Sequence, residues 1–199
     1  TVRGETHTIP LDEQAARGGC DSLAKGVYGK LFDWLVHRIN DALKGETGAF
    51  IGILDIFGFE IFENNSFEQL CINYANEKLQ QLFNKSTFKE EEALYEKEGI
   101  NFTKVEFIDN QNVLDLIEKK PDGILPLLDD ECIIPEGTDE KFMQKIEKFH
   151  AENDKFKTDP KRKLLSLLAF EIDHYAGVVN YDASAFFEKN RDTFFDDCY

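Results

Sequence analysis

The pattern that most constrains this chain starts at Ser66 and runs towards Lys97. Phe67, Leu70, Cys71, Tyr74, Leu79, Leu82 and Phe83 recur mostly three or four residues apart, the spacing that stacks side chains on one face of an α-helix. Ser66 and Gln69 stand at capping-box spacing, and Gly99 stops the pattern. The far half, Lys89 to Glu98, is mostly charged. A long helix that starts apolar and ends polar is expected to leave one core and reach towards another.

The segments on either side suit a helix-dominated, mixed α/β fold. Thr1 to Cys20 is polar, with Pro10 and Gly18-Gly19, and reads as a loop. A helix is expected from Asp21, capped by Asp21 or Ser22, with Leu23, Val27, Leu31, Trp34 or Leu35, and Ile39 on its apolar face. Gly45 and Gly48 end it. Phe50 to Leu54 is a short apolar run that fits a buried strand.

After Gly99, Val113 to Glu118 reads as a short amphipathic helix, ended by Lys120-Pro121. Ile124, Leu125, Leu127 and Leu128 begin another, followed by the turn Ile133-Ile134-Pro135-Glu136-Gly137. Thr138 caps a third helix reaching Phe149. Residues 150–163 read as a polar, lysine-bearing loop, Leu164 to Tyr181 as strand, glycine turn and strand, and Phe186, Phe187 and Phe194 as a last short helix.

Charge narrows the function classes. The formal net charge of -16 argues against general nucleic-acid binding and against adhesion to an acidic membrane. No apolar run has the length of a membrane span. Cys20, Cys71, Cys132 and Cys198 include no C-x-x-C pair and read as reduced, intracellular thiols. They make no metal-ligand pattern with His37, His150 or His174, which read as structural or exposed. The chain begins at Thr1 rather than Met, as expected of a segment from a longer protein.

The sharpest chemical signal is Asp55-x-x-Gly58 directly after the apolar run. In nucleotide hydrolases a carboxylate at a strand end holds Mg²⁺, often through water, and a nearby glycine N–H reaches a terminal phosphate because no side chain blocks it. Four residues alone fit a strand-ending turn with a capping Asp better.

The context extends that signal. Leu54-Asp-Ile-Phe-Gly-Phe-Glu-Ile-Phe62, followed by Asn65-Ser-Phe-Glu-Gln-Leu-Cys-Ile-Asn-Tyr-Ala-Asn-Glu-Lys-Leu-Gln-Gln-Leu-Phe83, closely resembles the switch II loop and relay helix of the myosin motor head. Asp21 to Asn40, Asp109-Asn-Gln, Gly123 to Asp139, Phe170 to Tyr181 and Glu188 to Thr193 resemble the same family, so the likeness covers essentially the whole chain.

The resemblance implies a fragment of a P-loop NTPase-type motor head. It implies an actin-facing loop end over 1–20, a helix over 21–48, and a strand with switch II over 50–62. The relay helix would be 66–98 and its loop 99–112. An actin-binding helix–loop–helix would occupy 113–149, and a basic loop, strands and a terminal helix 150–199.

It also implies roles. Asp55 would sit in the second shell of Mg²⁺, Gly58 would offer its N–H to the γ-phosphate of ATP, and Glu60 would pair with a switch I arginine that this chain does not contain. Phe59, Asn76, Glu77 and Phe102 would carry the coupling. Phe102 stands where myosins commonly have Trp. Ile133, Ile134 and Pro135 would form the apolar actin contact, which without the family match reads as a buried loop tip. Lys157, Lys161, Arg162 and Lys163 resemble an auxiliary actin-binding loop, and a solvated loop fits them as well. Glu5 would be the acidic residue of an actin-facing loop.

No G-x-x-x-x-G-K-[ST] phosphate loop is present, so ATP and Mg belong to the full-length motor and this chain by itself is not expected to bind ATP tightly or hydrolyse it. The implied partners are F-actin and the rest of the head, namely its upper subdomain and converter. The implied location is the cytoplasmic actin cytoskeleton. A non-catalytic actin-binding module and a fragment of another nucleotide hydrolase are the alternatives.

Overall fold

The computed structural model describes residues 13–45, 48–49, 51–103, 109–134, 136–158 and 168–191. Glu5, Pro135, Lys161, Arg162 and Lys163 lie outside the described residues, as does Phe194. The chain divides into two units, Thr1–Ile53 with Asp192–Tyr199, and Leu54–Arg191.

The first unit carries helix α1, Glu13–Leu43. It begins before Asp21, inside the segment expected to be a loop, so Asp21 and Ser22 are interior residues and not caps. Each of Gly18 and Gly19 costs a helix about 1 kcal/mol relative to Ala. The good helix formers before them offset this, and Arg17 Nη2 donates to Glu13 Oε1 one turn back at 2.9 Å. The expected apolar stripe is present but faces solvent: Leu23, Val27, Leu31, Leu35 and Ile39 are all exposed, and Trp34 keeps 55% of its surface.

Residues 51–53 of this unit form no strand, contrary to expectation. Ile51 is 97% exposed. An apolar run becomes a strand only when another strand completes its ladder, and the one sheet among the described residues lies elsewhere.

The second unit holds the core. Helix α2, Phe67–Asn84, passes through a π-helical turn, Lys85–Lys89, into helix α3, Glu90–Glu98. Gly99 ends the run with φ of 68°, the left-handed conformation in which helices stop. Helix α4 spans Gln111–Glu118, α5 Ile124–Ile133, α6 Asp139–His150 and α7 Phe186–Arg191. Strands β1, Phe156–Thr158, β2, Ala169–His174, and β3, Gly177–Asp182, form an antiparallel sheet in the order β1-β2-β3. The polar loop expected over 150–163 therefore contains a strand, organised by the one buried aromatic in it, Phe156, which pairs with Ile172.

Alternation along β2 turns Phe170, Ile172 and His174 inwards. Phe170 is fully buried: it stacks on Phe156 at 5.9 Å between ring centroids and meets Phe186 edge-on at 5.9 Å. Aromatic pairs of this kind contribute about 0.5–1.5 kcal/mol beyond area burial. Leu70 of α2, Ile117 of α4, Leu128 of α5 and Ile146 of α6 close the same core, all with no exposed surface. The buried face of α2 differs from the expected one. Leu82 and Phe83 are exposed, while Asn73, Glu77 and Asn84 are buried.

Candidate functional site

Two asparagines hold the segment leading out of Asp55–Glu60. Asn73 of α2 accepts from the Glu60 N–H through Oδ1 at 2.8 Å and returns an Nδ2 hydrogen to the Glu60 carbonyl at 2.8 Å. Asn65 treats Phe62 in the same way, accepting from its N–H at 2.8 Å and donating to its carbonyl at 2.9 Å. Residues two apart in an extended chain present their N–H and C=O on the same edge. The two side-chain amides thus replace a neighbouring strand for this edge. Asn65 also donates to Asn180 O at 2.9 Å, and Asp182 N donates to Asn65 O at 2.7 Å, which ties the segment to β3. Asn65 acts there and not on the helix, whose N-cap is Ser66.

Asn76 adds a third tie, donating Nδ2 to Phe57 O at 2.9 Å. Phe59 packs edge-on against His174 at 5.2 Å and Tyr175 at 5.4 Å. Gln69 Nε2 lies 3.4 Å from Glu60 Oε2. Positions 57, 59, 60 and 62 are thereby referred to α2 and to the β2–β3 hairpin, both inside this unit.

Below the clamp lies a buried polar array. Asn73 Nδ2 donates to Tyr181 Oη at 2.9 Å, Tyr181 Oη meets His174 Nε2 at 2.8 Å, and His174 Nδ1 meets Glu77 Oε2 at 2.8 Å. Asn110, at the start of α4, donates to Glu77 Oε1 at 2.7 Å and to Glu77 O at 2.8 Å. The side chains of His174 and Glu77 have no exposed surface. Burial raises the Tyr181 phenol well above its ordinary value. Such groups are tolerated inside because they bond one another, the exception in this array being Asn110 Oδ1, which is buried without a partner among the described residues.

Asp55 and Gly58 stand in the exposed part of the segment. A Cβ added at Gly58 meets nothing within 4 Å, so its backbone is open to approach. Asp55 offers one exposed carboxylate there, and Gly58 one open stretch of backbone. No group of three or more His, Cys, Asp or Glu among the described residues could hold a metal. Phe102 is partly buried against Tyr95, with ring centroids 5.4 Å apart.

The turn between α5 and α6 is exposed at its apolar residues, Ile133 by 80% and Ile134 by 45%, so the buried-tip alternative is incorrect. Its stem is rigid. Glu131 is buried and pairs with Lys145, and Thr138 Oγ1 caps α6 by accepting from Lys141 N at 3.2 Å. At Gly137 a side chain would overlap the Glu131 carbonyl and the Phe187 ring. Asp139 accepts from Ala185 N at 2.7 Å and Phe187 N at 2.8 Å, fixing α7 beside the stem.

Sequence reasoning named Phe59, Asn76 and Glu77 for this region and missed the roles of Asn65, Asn73, Asn110, His174 and Tyr181. A signal existed. Asn is a poor interior helix residue, because its amide competes with the backbone. Asn73 and Asn76 sit mid-helix one turn apart.

The family model for the myosin head (motor domain) matches residues 1–199. Myosin-2 of Arabidopsis thaliana is 55% identical over 175 residues, which is 86% of this chain and 14% of that protein. Myosin-I heavy chain of Dictyostelium discoideum is 50% identical over 198 residues, 98% of this chain and 8% of that protein. Myosin IA heavy chain of the same organism is 47% identical over 197 residues, 98% of this chain and 20% of that protein. The chain thus spans a fifth or less of these relatives' length, and over that span it belongs to the myosin motor-domain family.

Proposed function

We propose that this chain is the part of an actin-based, ATP-driven motor that connects a nucleotide-facing loop to a mechanical helix and to an actin-binding tip. The observation that carries the reading is the double attachment of residues 57–62. Asn73 and Asn76 bind them to α2, and Asn65 binds them to β3. A displacement of the loop has to be passed on to these elements, because breaking the ties would strand buried polar groups.

On this reading Asp55 faces the second shell of Mg and Gly58 the γ-phosphate of ATP, both held mainly by residues outside this chain. Glu60 takes an arginine partner from outside it. Helices α2 and α3 are the relay helix, and Phe102 belongs to the loop that meets the converter. The π-helical turn at Lys85–Lys89 supports bending there, since such turns interrupt the regular helix ladder. Ile133, Ile134 and Pro135 are the apolar contact with F-actin, supplemented by the basic loop with Lys161, Arg162 and Lys163 and by the loop with Glu5. A cytoskeletal location follows from that partner. No helix among the described residues is long and apolar enough to cross a membrane.

Co-sedimentation with actin filaments tests the tip. The double substitution Ile133→Asp and Ile134→Asp is expected to weaken binding by about tenfold or more, ~1.4 kcal/mol. Folding should be retained, because both side chains are exposed. Unchanged binding by a folded variant would remove the tip from the interface.

A further inference from the structure

We propose that Tyr181 and His174 are positioning residues, which act through Asn73 to hold the Glu60 backbone and whose proton order is set by Glu77. Asn73 Oδ1 accepts from Glu60 N–H, so the amide cannot be turned round. Its two Nδ2 hydrogens go to Glu60 O and Tyr181 Oη. Tyr181 Oη is thus an acceptor from Asn73, and its own hydrogen points at His174 Nε2. Nε2 then carries the lone pair and Nδ1 the hydrogen, which meets the Glu77 carboxylate. Every hydrogen in the array has one acceptor and one allowed direction. The Glu77 carboxylate fixes that direction at one end and the Glu60 backbone at the other.

The array also joins distant segments of the chain. Glu77 binds Asn110 ahead of α4, so the Glu60 backbone and the start of α4 share one set of buried partners. Tyr181 is suited to the middle because its ring packs on Phe170 in the core while its hydroxyl serves the array. The two functions separate in Tyr181→Phe, which keeps the ring and removes the hydroxyl.

This proposal rests on the motor reading only for calling Asp55–Glu60 nucleotide-facing, and its test reads the array directly. Amide hydrogen exchange in the full-length protein containing this chain is expected to speed up at Glu60 by about tenfold or more in Tyr181→Phe, with the amides of α5 and α6 unaffected. In an Asn73→Ala background the same substitution should add nothing at Glu60, because the link is already cut. Additive effects, or a uniform rise across α5 and α6, would overturn the proposal and reduce Tyr181 to a core residue. Where Asn73→Ala does not fold, the ¹⁵N spectrum of His174 in the unsubstituted chain decides. The Nδ1–H tautomer supports the array, and the Nε2–H tautomer contradicts it. Either failure leaves the actin co-sedimentation result standing.

Discussion

Helices α1 and α2 carry comparable apolar side chains at helical spacing, and only one of them is buried. On α1 the stripe from Leu23 to Ile39 faces solvent. On α2 Leu70 enters the core completely, yet Leu82 and Phe83 further along are exposed. What distinguishes α2 is its polar residues. Asn73 and Glu77 are buried with partners supplied by Glu60, Tyr181, His174, Tyr175 and Asn110. An apolar stripe therefore says that a helix wants a cover, and matched polar groups say which cover it has and in what register. Apolar burial is non-directional and a hydrogen bond is not.

The largest expected effect breaks this contrast most simply. Leu70→Ala should destabilise the second unit by about 2–5 kcal/mol, the range for emptying a well-packed core site. Leu35→Ala on α1, the same chemical change at an exposed site, should stay within about 0.5 kcal/mol. Denaturant unfolding of both variants reads the difference. Equal losses would mean that α1 is covered in solution.

The same contrast explains how much was legible in the sequence. The Ser66 cap, the stop at Gly99, the α5–α6 turn and the β2–β3 hairpin each depend on local chemistry, and the structure has them where the residues put them. The early start of α1 was hidden because two glycines signal a loop unless their neighbours outweigh them. The run from Phe50 to Leu54 was read as a strand because its composition suits one, but a ladder is a property of two segments. Strand β1 was hidden in a polar stretch where Phe156 alone carries the burial. Asp55, Gly58 and Glu60 were named on the length of the family pattern. The clamp was not, since Asn65 and Asn73 look like a cap and a helix surface until Glu60, Phe62 and Tyr181 are placed beside them.

A smaller effect extends the comparison to protons. His150, on α6, is buried against Phe156, and its Nε2 lies 2.8 Å from Asp122 O. Burial lowers its pKa below the ordinary value of 6.5, against a smaller upward pull from the Asp122 carbonyl. The unfolded chain then binds a proton at higher pH than the folded one. Stability is full above the ordinary histidine value and falls as pH drops through it towards the lowered value. His150→Gln should flatten that slope in unfolding measured across pH 7 to 5. An unaltered slope in His150→Gln would assign the acid sensitivity to other groups.

The central claim is that Asp55–Glu60 faces a nucleotide whose turnover is coupled to actin. ATP turnover by the full-length protein containing this chain, measured with and without actin filaments, tests it most directly. The unsubstituted protein should hydrolyse ATP and accelerate on adding filaments, and Asp55→Ala should reduce both rates to background. Turnover that ignores actin, or that survives Asp55→Ala unchanged, would contradict the account.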